Sequence, residues 1–124
     1  PMNITQKNKI NLPSSTIYTV KKSFEEEKFY LNTSVTLMKF ATEKKIPSYL
    51  ISECVKQLYG KSFPEAINSF RIKDFISKFL ESKDSFLKIE SLAYEYGFGS
   101  PSSFYAAFKK ETGMSPKEFK KKNC

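Results

Sequence analysis

Residues 88–122, KIESLAYEYGFGSPSSFYAAFKKETGMSPKEFKKK, leave the backbone little freedom. Ile89, Leu92, Ala93 and Tyr96 recur at helical spacing and give one helix an apolar face. Gly97 follows at once, and glycine takes the left-handed backbone that ends a helix without steric cost. Phe98 stands just past it, where the turn must close on a core. Ser100 before Pro101 is the usual order of N-cap and first helical residue. The helix that follows has Phe104, Ala107 and Phe108 on one face, the pattern of core residues. Ser102, Ser103, Tyr105, Ala106 and Lys109 lie on its other faces, and Gly113 ends it. Ser115-Pro116 then opens a last short helix, with Phe119 packing back and Lys120, Lys121 and Lys122 in the final turn, where cations suit the helix dipole.

Helix, glycine-containing turn and helix of this size form the helix-turn-helix unit, whose second helix is placed in a DNA major groove. Residues 36–60 repeat the pattern weakly. Thr33 or Ser34 is the expected cap of a helix carrying Val35, Leu37, Met38, Phe40 and Ala41. Ile46-Pro47 breaks it, and another helix runs through Tyr49, Leu50, Ile51, Cys54, Val55 and Leu58 to Gly60. Ala41 stands nineteen residues before Gly60, and Ala93 twenty before Gly113.

Between the two copies, residues 62–81 (SFPEAINSFRIKDFISKFLE) read as the longest helix. Ser62 is its cap, Pro64 and Glu65 sit in its first turn, and Phe63, Ile67, Phe70, Phe75, Ile76, Phe79 and Leu80 form a broad apolar face. Such a helix spans about 30 Å, close to the roughly 34 Å of one DNA turn. It could hold two recognition helices in successive turns of the groove, although a plain core helix would carry the same pattern. Upstream, Ser14 or Ser15 caps a first helix with Ile17, Val20 and Phe24 on one face, and Glu25, Glu26 and Glu27 read as a solvated face. Residues 1–13 read as a polar tail or linker, and residues 82–87 as a polar connection. The expected fold is therefore all-α, with about seven helices over residues 14–122. Two helix-turn-helix subdomains, about 35–59 and 88–112, are joined by a long central helix, about 62–81.

The length of 124 residues suits one domain. Twelve Phe supply an all-helical core, and the absence of alternating apolar and polar runs argues against a sheet protein. The chain has no histidine, and Cys54 and Cys124 lie at no metal-ligand spacing, which excludes histidine base catalysis and zinc chemistry. With no phosphate loop and no nucleophile elbow either, an enzyme is not expected, and no catalytic residue, metal or cofactor is assigned. No apolar run approaches the roughly 20 residues of a membrane span, and no signal peptide is visible, so the expected location is cytoplasmic, beside the nucleoid. The opening Pro-Met-Asn reads as the scar of a fragment cut from a longer protein, whose tethering to a membrane stays open. The net charge of +8 is concentrated at the ends: residues 1–22 hold four Lys and no acid, and residues 109–124 six Lys and two Glu. Basic ends fit a phosphate backbone, and they also fit solvated tails that keep a protein soluble.

The ordered set Ile89, Leu92-Ala93, Gly97-Phe98, Ser100, Phe104, Phe108-Lys109-Lys110, Gly113, Pro116 and Phe119 strongly resembles the second helix-turn-helix of the AraC-type (AraC/XylS) transcription regulators. The internal repeat extends the likeness over residues 31–122. The resemblance implies sequence-specific binding of double-stranded DNA by a bacterial transcription regulator, with recognition helices at about 47–58 and 101–112. It places Pro101, Ser102, Ser103 and Ala106 at reading positions of the second unit, with Ser100 at the helix start and Tyr105 on the same solvent face. The matching positions of the first unit are Pro47, Ser48, Tyr49, Ser52, Glu53 and Lys56. Lys56, Lys109 and Lys110 are the expected phosphate contacts. Serine bonds several bases and alanine touches a thymine methyl, so discrimination by these small readers should be modest, with shape readout sharing the work. The resemblance also implies contact with RNA polymerase, and dimerisation only through an N-terminal region not present here. It implies no small-molecule site in this stretch. Arg71 matches a commonly arginine position and is expected to tie the linker to a neighbouring helix. The first copy departs from the family pattern at Lys44, Lys45 and Glu53, which points to a positioning role for the first unit and reading by the second. The competing reading is a helical protein–protein module that has lost specific DNA binding.

Overall fold

A computed structural model describes residues 11–82 and 88–123. Residues 1–10 of the expected tail over 1–13, with Lys7 and Lys9, residues 83–87 of the connection over 82–87, and Cys124 lie outside the described residues. Among those described, the chain forms seven α-helices and no strand: α1 Ser14–Lys22, α2 Leu37–Lys44, α3 Ser48–Tyr59, α4 Phe63–Glu81, α5 Ile89–Glu95, α6 Pro101–Thr112 and α7 Pro116–Lys122.

The apolar residues sort into two cores. Val20, Phe24, Tyr30, Phe40, Ile51, Val55 and Phe63 belong to the first. Phe75, Phe79, Leu92, Phe98, Phe104 and Phe108 belong to the second. Helix α4 feeds both, with Phe63, Ala66 and Ile67 in one and Ile72, Phe75 and Phe79 in the other. It is therefore the mast on which two small domains are hung. Phe24 organises the first core: the rings of Phe29, Tyr30, Tyr59, Phe63 and Phe70 all lie 4.8–6.4 Å from its own. Phe75 plays that part in the second, 4.7 Å from Phe104 and 5.9 Å from Phe108. Each fully buried Phe contributes about 1.5–3 kcal/mol of transfer free energy. Such cores hold short helices that would be unstable alone.

Helix ends follow the side chains that can satisfy them. Ser62 accepts from the Glu65 N–H while the Glu65 carboxylate accepts from the Ser62 N–H, a full capping box. Ser115 and Glu118 repeat it at α7. Ser100 caps α6 by accepting from the Ser103 N–H. Two expected caps are displaced. Helix α1 begins at Ser14 because the Pro13 carbonyl, on an extended residue, already accepts from Thr16 and Ile17. Thr36, not Thr33 or Ser34, caps α2, accepting from Lys39. Asn32 explains the shift, because its side chain takes the Ser34 N–H and its carbonyl the Val35 N–H, which holds this segment in a turn. Leu80 is another departure, since it is exposed instead of packed.

Glu25–Glu27 are exposed, as the sequence reads them, and Glu25 and Glu27 also have partners. After α1 the backbone widens into a π-turn, Ser23–Glu27, and Lys28 closes it at φ 52° before a 3-10 turn, Phe29–Leu31. That geometry aims Glu25 at the Tyr59 hydroxyl, 2.8 Å away, and Glu27 at Lys44, 3.6 Å away.

Candidate nucleic-acid interface

The two turns are built alike. In the second unit Gly97 donates to Tyr94 O and Phe98 to Ala93 O, at 3.0 and 3.1 Å. In the first, Lys45 donates to Thr42 O and Ile46 to Ala41 O, at 3.3 and 3.1 Å. Both are helix C-terminal closures of Schellman type, with the residue after the helix at positive φ. That residue is Gly97 at 100° in one and Lys45 at 57° in the other. Lys45 therefore holds a backbone that costs an L-residue about 1–2 kcal/mol. Lys44 resolves its departure from the family pattern by leaving the core: it is half-buried, pairs with Glu27 and lies over the Phe40 ring at 5.9 Å.

From the cap onward the copies run in step at a separation of 53. Gly60 matches Gly113, Ser62 matches Ser115 and Glu65 matches Glu118. The one-residue difference noted in the sequence lies in the turn, where the second unit has an extra residue, Gly99, before its cap. Pro47 is the N-cap of α3, with no side-chain acceptor, where Ser100 is the N-cap of α6.

These closures fix which faces look outward. On α3, Ile51, Cys54 and Val55 are buried and Pro47, Tyr49 and Lys56 exposed, with Ser48, Ser52 and Glu53 between. Tyr49 is 62% exposed and lines a groove with Leu37, Ser52, Glu53, Lys56 and Pro64. Glu53 accepts from the Gln57 amide at 3.1 Å. Gln57 lies one turn on from the residues singled out in the sequence, and the step of 53 that makes it the counterpart of Lys110 would have found it.

On α6, Phe104, Ala107 and Phe108 are buried, while Pro101, Ser102, Ser103, Tyr105, Ala106, Lys109 and Lys110 are exposed. The serines at its start are joined. Ser103 donates to the Ser100 carbonyl at 3.0 Å and accepts from the Ser100 hydroxyl, and Ser102 lies 3.3 Å from the same hydroxyl. Ser103 is thus largely turned into the cap. Lys109 and Lys110 differ. The Lys110 ammonium sits 2.9 Å from Glu65 across the two units, and this pair with the Ser62 cap holds the Glu65 carboxyl down at about 2. The neighbouring Glu111 accepts from Ser69 on α4 at 2.7 Å. Of the C-terminal lysines, Lys120 is also occupied, donating to Phe79 O and Ser82 O.

Arg71 does what was expected of it and more. It is 8% exposed and donates to Tyr30 O at 2.7 Å and Asn32 O at 3.0 Å. Burial lowers its pKa. Its neighbour in space is Gly97, where an added Cβ would stand 2.5 Å from Tyr30 O and 2.6 Å from Arg71 Nε. Among the described residues, no group of His, Cys, Asp or Glu could hold a metal ion, and no helix is long and apolar enough to cross a membrane. Burial raises the Cys54 pKa, as suits a buried thiol in a core.

Residues 40–122 match a family model described as a helix-turn-helix domain. An uncharacterized transcriptional regulatory protein, YesN of Bacillus subtilis (strain 168), is 32% identical over 77 residues, 61% of this chain and 20% of that protein. The chain thus spans about a fifth of that relative's length. Two solved structures share the fold. The C-terminal domain of AraT, a response regulator from Geobacillus stearothermophilus, superposes with a TM-score of 0.76 at 23% identity, over 88% of this chain and 86% of that one. The C-terminal domain of the two-component response regulator yesN from Fusobacterium nucleatum gives 0.72 at 21%, over 86% and 99%.

Proposed function

Because the chain belongs to the AraC-type helix-turn-helix family of bacterial DNA-binding transcription regulators, we propose that it binds duplex DNA sequence-specifically, with α3 and α6 in successive major-groove turns. The observation that carries this reading is the duplicated geometry: two turns with the same pair of hydrogen bonds, each aiming an outward helix face with a lysine at the matching place, Lys56 and Lys109. The 19 residues of α4 span about 28 Å, of the order of one DNA turn.

In this reading Ser102, Tyr105 and Ala106 meet base edges, and Lys56, Lys109 and the backbone N–H groups at the helix starts meet phosphates. Ser100 and Ser103 shape the cap. Lys110 reaches phosphate only by giving up Glu65. Tyr49, Ser52 and Glu53 face DNA in the first unit, where Glu53 suits the cytosine amino group and repels phosphate, so this unit reads the weaker of two blocks. The domain would act in the cytoplasm as the DNA-binding part of a longer regulator. Signal sensing, dimerisation and any contact with RNA polymerase would rest with the whole protein, and this domain would catalyse nothing.

Binding to a pool of random duplexes at two salt concentrations, with sequencing of the bound fraction, tests the proposal. Enrichment of a motif with salt-sensitive affinity supports it. No binding at low salt would instead favour a helical protein–protein module.

A further inference from the structure

Arg71 stands where the two cores part. Phe70, before it on α4, packs on the first core, and Ile72, after it, is buried in the second. Its guanidinium is met on three sides. Its Nε and one terminal nitrogen donate to the carbonyls of Tyr30 and Asn32, in the segment that leads into the first helix-turn-helix. Its face lies 5.6 Å from the centre of the Phe98 ring, in the turn of the second. The backbone of Gly97 closes over the same group, with no room for a side chain. Tyr30 grips α4 a second time, since its hydroxyl donates to Asp74, one turn on from Arg71, and Lys28 stands 3.5 Å from that carboxylate. Two further ties between the units, Lys110 to Glu65 and Ser69 to Glu111, join exposed side chains, and exposed pairs hold geometry weakly. Helix α4, packed into both cores, carries the two units, and the buried fork joins them directly across it.

We propose that Arg71 is a positioning residue that fixes the second unit's rotation relative to the first, so that the domain accepts two DNA blocks at one spacing only. The inference rests on the two-block DNA reading above. One inserted base pair moves the second block by about 3.4 Å along the duplex and turns it by about 35°. A rigid joint cannot follow, and a linked second contact is lost when geometry forbids simultaneous engagement. Lysine at this position would keep the charge but replace a planar fork with a single ammonium. It could not hold both carbonyls and stack on Phe98.

The test is a random-duplex selection with the wild-type domain and Arg71→Lys side by side, read for the distribution of block spacings. It is followed by affinities for duplexes carrying the optimal spacing, one inserted base pair, or a single block. Both proteins should select the same blocks and bind the single block equally. The wild type should show one spacing and lose about tenfold or more on insertion, the scale of one spoiled base contact. Arg71→Lys should show a spread of spacings and lose about threefold or less on that same scale. An unchanged spacing and insertion penalty in Arg71→Lys would overturn the proposal. A single block in the wild-type pool would overturn it while leaving DNA binding intact, and no enriched motif would sink the DNA reading and this inference together. Should Arg71→Lys fail to fold by circular dichroism, Phe98→Leu, which removes the ring beside the guanidinium and leaves both carbonyl bonds, stands in under the same criteria.

Discussion

Gly97→Ala adds one methyl group where the backbone has φ 100° and where that methyl would stand 2.5 Å from Tyr30 O and 2.6 Å from Arg71 Nε. Two costs follow. An L-residue at this φ is strained by about 1–2 kcal/mol. The carbonyl and the guanidinium must also separate to admit the methyl, which breaks the 2.7 Å bond between them. A hydrogen bond from a charged group contributes about 1.5–3 kcal/mol. The expected loss is about 3–5 kcal/mol, in the range reserved for named structural faults. Gly113 and Gly60 are the controls: they have φ 76° and 69° and nothing within 4 Å of an added Cβ. Alanine there should cost about 1 kcal/mol, from backbone strain alone. Urea melts followed by far-ultraviolet circular dichroism give all three values on one scale. If Gly97→Ala fell within about 0.5 kcal/mol of Gly113→Ala, a difference small enough for an ordinary surface change, the close approach of the turn to Arg71 would be refuted.

Lys45→Gly should stabilise the domain by about 0.5–1 kcal/mol by relieving a left-handed lysine, seen as a rise in Tm; a fall in Tm would contradict the closure drawn for the first turn. The Glu65 carboxyl is held at about 2, below its ordinary 4.5, chiefly by Lys110. Its contribution to stability is therefore complete above pH 4.5 and is lost as the pH falls from there toward 2. Glu65→Gln should flatten that part of the Tm profile, and superimposable profiles would count against the pair. Lys56→Ala and Lys109→Ala should each lower the slope of log affinity against log salt by about one. Lys120→Ala should leave the slope alone because its ammonium is spent on Phe79 and Ser82.

The periodicity of α4 through α7 and the Ser-Pro and glycine punctuation placed the helices of the second unit to within a residue or two, because there each local preference agrees with the packing. The first unit was harder to read. Its turn closes on Lys45, which no propensity favours, and the neighbouring Lys44 reaches Glu27 on a segment seventeen residues earlier. No local pattern announces such a pairing. Glu25–Glu27 are the solvated face that the sequence reads, and only the bonds of Glu25 to Tyr59 and Glu27 to Lys44 depend on the π-turn. The Ser62 cap was read in the sequence and the Ser115–Glu118 box was not; their separation of 53, shared with the two glycines, extends the internal repeat past the recognition helix. At the outward faces, helical spacing and the family resemblance supplied the candidates. The structure then divided them, with Lys109 left outward and Lys110 drawn to Glu65, and with Ser103 folded into its cap.

The central claim is that two matched helices face two segments of one major groove, and methylation interference at guanine N7 tests it most directly, because that atom is exposed only there. On a duplex recovered from the selection, the account predicts two blocks of interference on one face, about 10 base pairs apart centre to centre. The near block should fade in a protein altered at Tyr49 and Ser52, and the far block in one altered at Ser102 and Ala106, or the reverse. A single block unaffected by either pair, or no block of interference at guanine N7, would contradict it.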